Sequence, residues 1–170
     1  MISEFSFEPS FVPSGEALSV TEVDESLGLM IPLHMPHEII HLKHVPPTVE
    51  AMMDHFMPLG LEWHCETDLE RGGSRLTGVL NRDRESGGLW TVVILERAGT
   101  GKHRHNDGGA YGEFVVTLAG ELDDVLDNGK AVTLRRGDVV FHAANTLHEA
   151  TALQFWVGLC HQPRGSTRMA

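Results

Sequence analysis

From residue 61 onward, apolar and polar positions alternate with a period of two in short runs, at 61–67, 74–80, 89–96, 113–118, 131–134, 139–142 and 153–159. Residues two apart on an extended chain share a face, so each run reads as a β-strand. The runs are separated by Gly, Asp and Asn clusters, including the tight turns Arg71-Gly72-Gly73 and Asp127-Asn128-Gly129. Many short strands joined this way predict an all-β, antiparallel sandwich or barrel. A small barrel can stay open at one mouth, where inward side chains converge on a ligand. Before residue 61 the pattern differs. TVEAMMDHFM, at 48–57, suits a short helix with Thr48 as its N-cap and Pro58 and Gly60 ending it. Residues 1–30 show weak periodicity and scattered turn formers, and read as an extended arm or short edge strands. The expected organisation is therefore an arm and helix over 1–60 packed on a barrel at 61–161, with a mobile tail at 162–170.

Composition narrows the functional classes. The chain has 170 residues, 41% hydrophobic and 22% charged, enough for one sizeable core. Thirteen Lys and Arg against twenty-four Asp and Glu leave a net charge of −11, which disfavours nucleic acid and anionic membrane surfaces as partners. Cys65 and Cys160 form no CxxC pair, and MISEFSFEPSF lacks a basic start and an apolar signal core, so a reducing cytoplasm is the expected location. Eleven histidines are many for this length, and histidine is the commonest metal ligand. His34, His37, His41 and His44 are spaced for one helical face, but Pro36, Pro46 and Pro47 argue against a helix there. They read as loop or packing residues, with a second metal site as the other reading.

The informative stretch is GTGKHRHNDGGAYGEFVVTLAG, at 99–120. On a strand, His103 and His105 point to one face and can clamp one ion with two imidazoles. Alternation puts Glu113, Val115 and Thr117 on one face of the next strand. If that face looks inward, a carboxylate joins the imidazoles and Thr117 lines the same pocket. A second stretch, GDVVFHAANTLHEATA at 137–152, presents His148 after a turn and completes a set of three imidazoles and one carboxylate. His142, six residues earlier on the incoming strand, reads as a wall residue or a support for a ligand. Glu149 reads as a solvent-facing neighbour or an acceptor for a ligand's second ring nitrogen. In a competing arrangement, His105, Asp107 and His148 imitate the facial triad of non-haem iron oxygenases. Gln154 and Trp156 share the parity of His148 if that strand runs unbroken, and would line the pocket.

These segments resemble those of the cupins, small β-barrels whose metal ligands come from inside the barrel. The likeness covers about 89–159. The HxH pair, Glu113 and Gly120 match the first family segment, and Gly137, the turn at 143–145 and His148 match the second. The loop from His105 to Glu113 is longer than the family's, the leading glycine is displaced to Gly99, and the family's closing asparagine is Ala152. The turn's usual proline and glycine are Ala143 and Asn145; asparagine tolerates the left-handed conformation a glycine would take. The resemblance implies an antiparallel double-stranded β-helix, or jelly roll, with a divalent ion held by His103, His105, Glu113 and His148. Glu113 is also its candidate catalytic carboxylate.

Within the family, His-x-His, a Gly-rich loop and Gly-Glu-Phe are most similar to small bacterial diketone and dihydroxyacetophenone dioxygenases. That implies Fe2+, with Zn2+, Ni2+ or Mn2+ as other occupants, and a small diketone or hydroxyketone as substrate with dioxygen. Three imidazoles leave coordination positions open for a chelating substrate and dioxygen. One alternative is a non-catalytic zinc or nickel sensor, similar to the cupin domain of bacterial anti-sigma factors, although residues 1–60 hold no CxxC. Another is a metal-free sugar isomerase or epimerase using general acid and base catalysis. Barrels of this kind pair through edge strands, so a homodimer is expected.

Overall fold

Ten strands and one α-helix form the described part of the chain. The structure is a computed structural model that describes residues 17–19, 42, 44–82, 89–105, 113–142, 145–162 and 166–168. The strands are β1 (Ala17–Ser19), β2 (Glu62–Asp68), β3 (Gly73–Arg82), β4 (Leu89–Gly99), β5 (His103–His105), β6 (Glu113–Leu126), β7 (Ala131–Arg135), β8 (Asp138–His142), β9 (Leu147–Gln162) and β10 (Ser166–Arg168). All described pairings are antiparallel. The hydrogen-bonded path runs β1-β8-β6-β9-β4-β3-β2, with β7 on β6, β5 on β9 and β10 on β5. The expected all-β, antiparallel jelly-roll architecture is the observed one.

Helix α1 (Val49–Phe56) begins where the sequence places it: Thr48 is extended and its hydroxyl accepts from Ala51 N. A 3₁₀ turn, Met57–Leu59, follows, and Gly60 closes it in the left-handed conformation, φ 62°. Met52 and Phe56, one turn apart, are buried against Leu76, Val92, Ile94, Phe114, Val116 and Leu159 on one face of the sheet. The opposite face carries a second cluster, with Val93 and Leu95 of β4, Val115 and Leu122 of β6, Leu134 of β7, Val140 of β8, and Ala150, Trp156 and Cys160 of β9. Residues 91–95 of β4 are all buried because both faces of that strand are covered.

Several boundaries differ from expectation. β6 continues past residue 118 to Leu126, and β9 begins at Leu147, six residues before the expected run at 153–159. Each of these strands keeps extending because it changes partners along its length: β6 pairs β8 and then β7, and β9 serves β4, β5 and β6. The tail is not free throughout: Ser166–Arg168 pair with His103–His105, which gives β5 a second neighbour. Of the arm, Ala17–Ser19 form an edge strand on β8. His34, His37, His41 and Asp107 lie outside the described residues, and His44 is exposed. No helix among the described residues is long and apolar enough to cross a membrane.

Candidate metal centre

Strand register gathers the candidate ligands. His103 of β5 sits opposite His148 of β9, and Glu113 of β6 sits opposite His142 of β8. Cross-strand partners bring their side chains within about 5 Å, so two pairings place four functional side chains in one neighbourhood. The turn before His148 has Asn145 at φ 64°, the left-handed conformation for which asparagine is suited. His103, Glu113 and His148 are all buried, and one donor atom from each lies within 4.8 Å of the others. They line a cavity of about 240 Å³ whose walls include Val93, Leu95, Val115, Leu134, Val140 and Trp156.

The hydrogen bonds define which ring nitrogens face the centre. His103 Nδ1 lies 2.9 Å from the Gly101 carbonyl oxygen, and His148 Nδ1 lies 2.9 Å from Asp124 Oδ1. Both partners are acceptors, so each Nδ1 carries the proton and each Nε2 presents its lone pair. His148 Nε2 stands 3.4 Å from Glu113 Oε2. That is long for a charge-assisted hydrogen bond, but two donors each about 2.1 Å from one ion stand roughly 3.0–3.4 Å apart. Two neutral imidazoles and a carboxylate suit a divalent transition metal.

Asp124 is the residue sequence reading did not find. Its carboxylate also accepts from His142 Nε2 at 2.6 Å, so one buried acid joins two histidines. Asp124, His142 and His148 form a second group of donors within 4.8 Å. His142 is thus more than wall: its Nδ1 lies 3.4 Å from Glu113 Oε2 and, buried, has no hydrogen-bond partner. That ring nitrogen and the Glu113 carboxylate beside it fit a cation held among these residues. Burial works to raise the Asp124 carboxyl, but the hydrogen bonds from His142 and His148 outweigh it and hold it at about 2. Burial likewise works to lower His142, and Asp124 and Glu113 reverse this, bringing it to about 9. Burial, with the Glu113 charge beside it, pushes the Cys160 thiol well up.

The parity of β6 explains why Asp124 was missed. Glu113 and Val115 line the cavity, but so do Leu122 and Asp124, which have the opposite parity. Register shifts between Thr117 and Asp123, with Gly120 at φ 75°, reset the alternation. Asp123, which simple alternation would turn inward, instead accepts from Thr133 Oγ1 at 2.6 Å. The acidic pair Asp123-Asp124, beyond the end of the run at 113–118, was the only signal available.

Other expectations are corrected. Thr117 is buried but lies outside the cavity lining, where its hydroxyl accepts from Trp156 Nε1 at 3.0 Å; it steadies the wall instead of forming it. Gln154 is exposed and belongs to a separate surface hollow with Leu153 and Phe155. A bulge does this: β9 sets Leu153 and Gln154 opposite the single residue Arg97 of β4, so Gln154 turns outward although Ala152 and Trp156 on either side keep the parity of His148. Trp156 resumes the wall. The backbone of His105 lies in β5, but its side chain is outside the described part, as is the Asp107 alternative. Glu149 is half-buried and pairs with Arg71 at 3.4 Å, away from the ligands' ring nitrogens.

No protein-family model and no curated protein matches the chain. Solved structures do. A cupin-like protein from Thermotoga maritima is 20% identical with a TM-score of 0.51, over 58% of this chain and 77% of that one. A cupin 2 conserved barrel domain protein from Rhodopseudomonas palustris is 17% identical with a TM-score of 0.52, over 64% and 75%. A cupin-2 domain from Rhodospirillum rubrum is 14% identical, also with a TM-score of 0.52, over 65% and 76%. At these identities the likeness concerns the fold.

Proposed function

This chain has the cupin fold, and on that premise we propose that it is a metal-dependent enzyme, an Fe2+ dioxygenase acting on a small diketone or hydroxyketone. The observation that carries the reading is the buried set His103, Glu113 and His148 on the wall of a small cavity. With His105 the proposed set offers four protein donors, which on a six-coordinate ion leaves two positions for other ligands, unlike the closed tetrahedral sphere of a structural zinc site. A bound Fe2+ supplies Lewis acidity and electrons to dioxygen. His105, two residues along β5 from His103, belongs to the proposed ligand set, with Zn2+, Ni2+ and Mn2+ as other ions the set suits.

The chain's own residues do the rest. His103 and His148 are held with Nε2 inward by Gly101 O and Asp124. Glu113 would ligate through Oε2, the oxygen beside His148 Nε2, and take the α-proton on its other carboxylate oxygen when the ketone enolises. Val93, Leu95, Val115 and Trp156 keep water from the reacting carbons. Iron-loaded protein is expected to consume oxygen with a panel of small diketones and hydroxyketones; no consumption with these, alongside turnover of other substrates, overturns the reading. Replacing His103 and His148 together by Ala is expected to abolish metal binding, whereas His37→Ala leaves stoichiometry unchanged, as read by elemental analysis.

The paired His142 and Asp124 favour a second reading, general acid and base catalysis of a sugar isomerisation or epimerisation, since an imidazole on a buried carboxylate is suited to move protons. Activity that survives full chelation distinguishes it.

A further inference from the structure

The cavity holds one fixed positive charge that the metal reading does not use. Arg75 projects from β3 into the same cavity as His103, Glu113 and His148, with its side chain only 10% exposed. Its register partner on β2 is Glu66, and the two form an ion pair, but the Glu66 side chain is 54% exposed. An ordinary cross-strand pair leaves both charges in water, where each keeps its hydration. Here the guanidinium is taken out of water while its partner stays largely in it. A desolvated arginine is costly unless several of its donors are engaged. The only other described hydrogen bond from Arg75 is a long one, 3.4 Å, from Nη1 to Thr100 O. Guanidinium has five N–H donors in a planar fork matched to carboxylates, and the described bonds to Glu66 and Thr100 engage two of them.

Chain geometry places this fork close to the metal donors. Thr100 is three residues before His103, and its amide donates to Ala150 O at 2.9 Å, two residues from His148. Three extended residues span at most about 10 Å, so a small molecule reaches from one group to the other. A cavity of about 240 Å³ is below the usual range for ligand pockets, which restricts the occupant to a small one.

We propose that Arg75 is a carboxylate subsite, so that the ligand of this cavity is a keto acid whose two carbonyl oxygens would bind the ion held by His103, Glu113 and His148 while its carboxylate pairs with the guanidinium. The inference rests on the metal reading above and refines its substrate from a neutral diketone to an acidic one. Glu66 shows how a carboxylate meets Arg75, and its exposure lets it swing aside into solvent when a ligand acid arrives.

The test uses the full-length zinc-loaded protein and two probes that share one diketone: 2,4-dioxopentanoate, which carries a carboxylate, and pentane-2,4-dione, which does not. Binding is followed by calorimetry. The acid is expected to bind at least ten times more tightly than the neutral diketone. Arg75→Gln is expected to remove that preference while zinc stoichiometry stays at one, and Arg75→Lys to retain part of it. Glu66→Gln, a change at a half-exposed position, is expected to strengthen acid binding by removing a competing carboxylate, and it carries the mutational arm if Arg75→Gln does not fold. Zinc bound with no preference for the acid, or an undiminished preference in Arg75→Gln, overturns the carboxylate subsite alone. Wild-type protein that takes up no zinc overturns the metal reading and this refinement with it.

Discussion

Asp124 is 1% exposed, yet its two hydrogen bonds from imidazoles hold its charge, and that charge in turn fixes which nitrogen of His148 faces the cavity. Asn at this position keeps the shape but has one acceptor oxygen, so it can serve only one of the two rings. Asp124→Asn is expected to weaken zinc binding about 10–100-fold, measured by competition with a chromogenic chelator. Metal-free protein carries a second consequence. Asp124 sits below its ordinary value of 3.8 at about 2, so its stabilisation is complete above about pH 4 and lost as pH falls toward 2. His142 sits above its ordinary 6.5 at about 9, so its stabilisation is complete below pH 6.5 and lost as pH rises through 9. The melting temperature of metal-free protein is therefore expected to decline between pH 6.5 and 9, and Asp124→Asn to flatten that decline. Metal-loaded protein responds at the other end: ligating imidazoles must be neutral, so acidification releases the ion with uptake of protons.

At the scale of elements, the site depends on where strands break their own alternation. Gly120 has φ 75°, and a Cβ there would lie 2.1 Å from the carbonyl oxygen of Phe155, so neither the conformation nor the space admits a side chain. That tight crossing of β6 over β9 is what lets Glu113 and Asp124, eleven residues apart, face one cavity despite opposite parity. Gly120→Ala is expected to destabilise the protein by more than about 1 kcal/mol in urea denaturation and to weaken zinc binding as well, because relaxing the bulge turns Asp124 away. A change that lowers stability but leaves zinc affinity intact would show that the bulge serves only packing. Glycine in the family-like segment was legible in the sequence; its consequence for Asp124 was not, since a bulge is a long-range contact between two strands.

Across the whole molecule, one apolar cluster lies between α1 and the sheet and the other lines the cavity, so the ligand-bearing face is backed by an independently packed layer. An ion that binds only the folded chain adds stability by mass action, about 4 kcal/mol at a thousandfold excess over its dissociation constant. Zinc or iron is expected to raise the melting temperature, and a chelator to return it to the metal-free value. The path of strands ends at β1 and β2, each with a single described strand neighbour, and these edges are where we expect a second copy to pair; sedimentation at twice 18.7 kDa is the expected result and a monomer at micromolar concentration the contrary one. Local signals were enough for the class of fold, the capped helix, the turns and the spacing of His103, Glu113 and His148, because period, capping and turn chemistry act within a few residues. Folding alone decided that Asp124 and His142 join them, that Arg75 enters the cavity from β3, and that Gln154 and Thr117 stay out of it. These placements depend on register and bulges, which are settled between strands distant in the chain and leave no mark in the alternation of either strand by itself.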